Sequence, residues 1–193
     1  MTEAPGMHNP NVLPQNIPVP QDDGAARHLT GMRIPDIALP ATDGSSVNLS
    51  KLQGRVVVYI YPRTGVPGVD LPQGWNEIPG ARGCTPQSCS FRDHFGELQR
   101  LGVAHLFGLS TQDNDYQREA ATRLHLPFLI LSDEKLALTT ALKLPTFVTS
   151  GMTLLRRMAL VIDDGAIAKV FYPVFPPDKN AEEVVGWLQN SSA

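Results

Sequence analysis

Apolar positions recur along this chain with two periods, and the changes from one to the other lay out its elements. Ile34, Ile37 and Leu39 suggest a short strand, Thr42-Asp43-Gly44 reads as a turn, and Ser46 to Leu49 forms the return. The run Arg55-Val56-Val57-Val58-Tyr59-Ile60-Tyr61 is β-branched and almost wholly apolar, as in a buried central strand. Residues 62–82 are rich in Gly and Pro and read as loop. From Thr85 the spacing turns helical through Phe91, Phe95, Leu98 and Leu101, with Gly102 as the stop. Residues 103–110 form a second buried strand, 115–124 a helix, 128–131 a short strand and 134–142 another helix. Leu155 to Ile162 and Ala166 to Tyr172 flank Asp163-Asp164-Gly165 as a hairpin, and Ala181 to Leu188 close the chain as an amphipathic helix. This order predicts an α/β domain, a central mixed sheet flanked by helices on both faces.

Before this domain, residues 1–31 read as an N-terminal extension. Pro5, Pro10, Pro14, Pro18 and Pro20 punctuate it, and Val12, Leu13, Ile17 and Val19 give it apolar grip. The expected organisation is an arm over 1–31 and one domain over 32–193. Composition narrows the function classes. Hydrophobic residues are 42% and charged residues 18%, which fits a globular core. The net charge of −3 gives no pull toward nucleic acid or an anionic membrane. No apolar run is long enough to span a bilayer, and the first residues lack the pattern of a secretory signal. The expected setting is cytoplasmic.

The two cysteines carry the chemistry. They lie close together in Gly83-Cys84-Thr85-Pro86-Gln87-Ser88-Cys89, after a strand and a long loop. Cys84 falls at a helix opening, where unpaired N–H groups and the positive end of the dipole favour a thiolate. Cys89 is roughly one and a half turns further on and points elsewhere, so a disulfide requires the helix to unwind. Other readings of the pair are two inert buried thiols and a zinc site. Zinc needs further ligands that no His pair or second Cys pair supplies. The usual disulfide oxidoreductase motif has two intervening residues, against four here.

The block from Gly83 to Asp93 resembles the active-site segment of peroxiredoxins, most closely the Q-type or bacterioferritin comigratory class. Val57 to Pro62 resembles the strand that precedes the active loop in that family, and Gly108 to Ser110, Leu126 to Asp133 and Arg157 to Asp163 resemble its later segments. The resemblance covers residues 32–188 and implies a thioredoxin-like fold. It implies that Cys84 is the peroxidatic cysteine, Cys89 the resolving one and Arg157 the active-site arginine, with Pro62 shielding the thiolate. It also implies a thiol peroxidase for hydrogen peroxide and organic hydroperoxides, with no metal or organic cofactor. A thioredoxin-like reductant would recycle it, and the chain would be a monomer or homodimer. Two departures stand out. Gln87 occupies a position where Q-type members often carry Glu. An insertion within 63–82, including Trp75, splits the family's Pro-x-x-x-Thr-x-x-Cys motif, so Thr64 is the best candidate for the missing hydroxyl and Thr85 the alternative. The competing functions are a thioredoxin-type disulfide reductase and a non-enzymatic redox-sensing binding protein.

Overall fold

The computed structural model of the protein describes residues 9–191. Strands β1 (Ala38–Pro40) and β2 (Ser46–Asn48) form the first hairpin, followed by β3 (Arg55–Ile60). Helices α1 (Cys84–Asp93) and α2 (Phe95–Arg100) precede β4 (Val103–Ser110). Then come α3 (Asn114–Arg123), β5 (Leu129–Ser132) and α4 (Ala137–Leu142). Strands β6 (Thr146–Thr149), β7 (Met152–Leu155), β8 (Met158–Asp163) and β9 (Ala166–Phe171) lead to α5 (Asn180–Ser191). The central sheet has the order β5-β4-β3-β8-β9, parallel across β3, β4 and β5 and antiparallel across β3, β8 and β9. It is the mixed sheet that the sequence predicts.

The period of two in β3 divides the core. Val56, Val58 and Ile60 join Leu138 and Leu142 of α4 on one face. Val57, Tyr59 and Tyr61 join Phe91 of α1, Leu98 of α2 and Val184 and Leu188 of α5 on the other. Gly108 of β4 makes room for this second face, since a Cβ there would lie 2.8 Å from the Tyr59 ring. The Tyr59 hydroxyl donates to Ser88 Oγ at 3.1 Å, which ties the centre of α1 to the sheet.

Three elements differ from the sequence reading. The helix read from Thr85 to Leu101 breaks at His94, whose φ and ψ of −96° and 5° separate α1 from α2. The β6–β7 hairpin is additional. Its turn, Ser150-Gly151, has positive φ at both residues, as a two-residue hairpin loop requires. The strand read from Leu155 to Ile162 is interrupted, because Leu155 ends β7 and β8 begins at Met158. Arg156 and Arg157 therefore lie at a junction and are not strand residues.

Packing begins before Met32. Ala26 and Leu29 are buried in the same core as Leu39 and Val58. Gly31 and Ile34 donate backbone hydrogen bonds to Ile167 and Gly165, and Ile167 donates to Met32. Within the extension Val12 and Val19 are exposed, whereas Leu13 packs at Gly83. Residues 1–8 of the arm read from the sequence lie outside the described residues.

The inserted loop is also packed. Trp75, Ala81 and Leu154 form a third apolar cluster with Leu71, Ile78, Phe147 and Met152, so the insertion rests on the extra hairpin. Trp75 is only 3% exposed. Trp75→Ala should therefore lower the unfolding free energy by about 3 kcal/mol, read as a reduced urea midpoint. An unchanged midpoint would mean that the loop contributes nothing to the fold.

Candidate active site

The insertion returns to the domain at Ala81, and Gly83 then starts α1. Gly83 has φ of 104°, and a Cβ there would lie 2.4 Å from Pro177 Cγ. Glycine is therefore required twice over, for the left-handed backbone and for the close approach. Cys84 becomes the first helical residue, 3% exposed, and Pro86 in the first turn sacrifices no intrahelical donor.

Arg157 reaches this thiol from the β7–β8 junction. Its Nη2 lies 3.2 Å from Cys84 Sγ and also faces the carbonyl oxygens of Gly80, Ala81 and Arg82 at 3.0–3.1 Å. Its Nη1 donates to Gln87 Oε1 at 2.6 Å, and Gln87 Nε2 donates to Asn180 Oδ1 at 2.9 Å. The thiol in its protonated form faces the Ala81 carbonyl at 3.6 Å. Arg157 is 3% exposed, and none of the ion pairs among the described residues includes it. A buried guanidinium without a carboxylate is expensive unless another anion faces it. Cys84 is the group at hand that can become one. Arg156 has a different environment: it donates to the Thr146 carbonyl and lies over the Phe147 ring.

A small cleft leads to Cys84. Arg63 and Arg82 line it together with Leu71 and Trp75 of the insertion and Pro10 of the arm. Arg63 is held over the Tyr116 ring at 4.9 Å, and Arg82 donates to the Val12 carbonyl. Burial pulls the Arg82 guanidinium below its ordinary value, and the neighbouring Cys84 opposes this.

The residues singled out in the sequence are only partly brought together. Cys84 and Arg157 meet. Pro62 is buried two residues beyond the end of β3. Thr64 is buried too, but its hydroxyl faces Gln112 Oε1 at 3.3 Å and makes no hydrogen bond to Cys84. Its backbone N–H also donates to Gln112, and its carbonyl accepts from Tyr116. The insertion thus leaves Thr64 anchored to the neighbouring loop and helix. The Thr85 hydroxyl is buried without a partner among the described residues. Cys89, half-buried, lies near Arg92 and Arg123 on another side of α1, and both thiols are free. Burial pushes the Cys89 thiol above its ordinary value, with Asp93 adding to this and the two arginines opposing it. Gln112 and Asn180 were not foreseen. Neither stands in a motif, and only the folded chain brings them to the site.

The Redoxin family model matches residues 29–185. "Peroxiredoxin Q, chloroplastic" of Oryza sativa subsp. japonica is 32% identical over 162 residues, 83% of this chain. This chain spans 66% of that relative's length, just under two thirds. "Peroxiredoxin Bcp" of Escherichia coli K12 is 32% identical over 160 residues, covering 80% of this chain and 92% of its own. The crystal structure of peroxidoxin BcpB from Mycobacterium tuberculosis superposes with a TM-score of 0.65 at 24% identity, covering 83% of this chain and 96% of that one, which shows a shared thioredoxin-like fold. With Cys84 at the start of its helix and relatives of the peroxiredoxin Q and Bcp type, this chain belongs to the Redoxin family.

Proposed function

We propose that the protein is a thiol peroxidase. The observation that carries this reading is the 3.2 Å contact between the buried, carboxylate-free Arg157 and Cys84 Sγ. The fixed positive charge complements a thiolate and the negative charge that develops on the leaving oxygen of a peroxide. The Cys84 thiolate attacks the terminal oxygen, the O–O bond breaks, and the leaving oxygen takes a proton and departs as water or an alcohol. Sulfur is oxidised by two electrons to sulfenic acid. Cys89 then attacks that sulfur, water leaves, and an intramolecular disulfide forms. A thioredoxin-like dithiol returns both cysteines to thiols. The proposed setting is the cytoplasm, as a monomer or homodimer. Among the described residues no helix is long and apolar enough to cross a membrane.

The test is steady-state peroxide consumption with thioredoxin as donor, with hydrogen peroxide and an organic hydroperoxide compared. Turnover of at least one supports the proposal. Reduction of insulin disulfides without peroxide turnover would instead identify a disulfide reductase.

The resolving step has an expected pH dependence. The Cys89 thiol is raised in the folded state, so its burial stabilises α1 below the unfolded thiol value, and this stabilisation is lost as pH rises through the folded one. Alkali therefore both ionises Cys89 and eases opening of the helix. Disulfide closure after a single peroxide pulse should accelerate from pH about 7 to about 9. Stopped-flow fluorescence measures this, and a pH-independent rate would contradict it.

A further inference from the structure

We propose that Asn180 and Gln87 are positioning residues that aim Arg157 at Cys84, an inference that rests on the reading of Cys84 as the reacting thiolate. The two sides of the guanidinium are held very differently. Nη2 has two hydrogens and faces four acceptors: three backbone carbonyls and Cys84 Sγ. Those carbonyls compete with the sulfur for the same nitrogen. Nη1 is fixed by one side chain, Gln87 Oε1 at 2.6 Å. The Gln87 contact therefore sets the angle of the guanidinium plane, and so whether Nη2 stays on sulfur.

Asn180 fixes Gln87 in turn. A guanidinium only donates, so Gln87 must present its oxygen to Arg157 and its NH2 to the other side. There it meets Asn180 Oδ1 at 2.9 Å, which obliges Asn180 to present its oxygen as well. Both amides are 0% exposed, so water offers no alternative partner. Three separate elements supply this line: the first residue of α5, the first turn of α1 and the β7–β8 junction. It also leaves Arg157 Nε buried without a partner among the described residues, while the Asn180 side chain interacts with the Glu183 carboxylate on its other side. The line is also neutral: Gln87 and Asn180 hold the guanidinium without neutralising it, which leaves its charge to Cys84.

The experiment is the pH profile of iodoacetamide alkylation in a Cys89→Ser background, where Cys84 is the sole thiol. Asn180→Ala is expected to move the profile to higher pH and slow alkylation at neutral pH about fivefold to tenfold. Gln87→Ala should do the same or more. The double variant should match Gln87→Ala alone, because Asn180 acts only through Gln87. Gln87→Met keeps much of the size but offers Arg157 Nη1 no acceptor oxygen, and its expected upward shift serves as the test if Asn180→Ala does not fold. A parent-like profile in folded Asn180→Ala, or in folded Gln87→Met, would overturn the proposal, as would additive effects in the double variant. Alkylation does not depend on peroxide. A shifted profile without peroxide turnover would therefore sink the peroxidase reading and spare this one, and turnover with an unshifted profile would do the reverse.

Discussion

Cys84→Ser is expected to reduce peroxide turnover to the uncatalysed background, a loss of at least about 10³-fold. The substitution changes one atom, and serine fills the same buried place at the start of α1. A hydroxyl at that position can still donate to the Ala81 carbonyl, which the thiol faces now, so the fold should persist. What disappears is the nucleophile beside Arg157. An alkoxide is far harder to form than a thiolate, and oxygen lacks the sulfenic acid state that the cycle passes through. Cys89→Ser is the matching control. It should consume about one equivalent of peroxide and then stall with dithiol-specific donors. If Cys89→Ser were inactive from the start while Cys84→Ser turned over, the two roles would be exchanged.

Arg157→Met should lower kcat/KM for peroxide by about 10²–10³-fold, the range expected when a preorganised donor to a developing anion is removed. Methionine fills much of the arginine's volume but offers nothing to Cys84 Sγ, Gln87 Oε1 or the carbonyls of Gly80, Ala81 and Arg82. Arg157→Lys separates charge from geometry. An ammonium keeps the charge, yet it lacks the planar fork that reaches Gln87 Oε1 and Cys84 Sγ from opposite corners. It should recover only part of the loss, with kcat/KM still about tenfold or more below the parent. Circular dichroism establishes that each variant is folded. A folded Arg157→Met with kcat/KM within about threefold of the parent would remove the arginine from the mechanism.

Much of the fold was legible because its strands carry strong local signals. The run from Val56 to Tyr61 could only be a buried strand, and it became the centre of the sheet with both faces covered. The β6–β7 hairpin was missed even though Ser150-Gly151 marks its turn, since neither strand is strongly alternating or fully buried. Missing it made Arg156 and Arg157 look like part of a longer strand. The break at His94 had no clear mark either, because Phe91, Phe95 and Leu98 keep helical spacing across it. Within the site, Cys84 and its place on α1 were readable from Gly83, Thr85 and Pro86. Arg157 was readable only through resemblance, as two adjacent arginines give no local reason to prefer one. The folded chain separates them by burying Arg157 and leaving Arg156 half-buried against the hairpin. Thr64 depended on how an inserted loop returns, and Gln112, which is remote in sequence, decides where its hydroxyl goes. Asn180 lies 93 residues from Gln87, and no local pattern joins them.

The central claim is that one thiol takes the peroxide oxygen and the other displaces it. Intact mass after one equivalent of hydrogen peroxide tests this directly. The parent protein should lose two hydrogens, and Cys89→Ser should instead gain one oxygen that is lost when Cys84 is also replaced. A parent protein whose mass is unchanged, or an oxygen adduct that survives replacement of Cys84, would contradict the account.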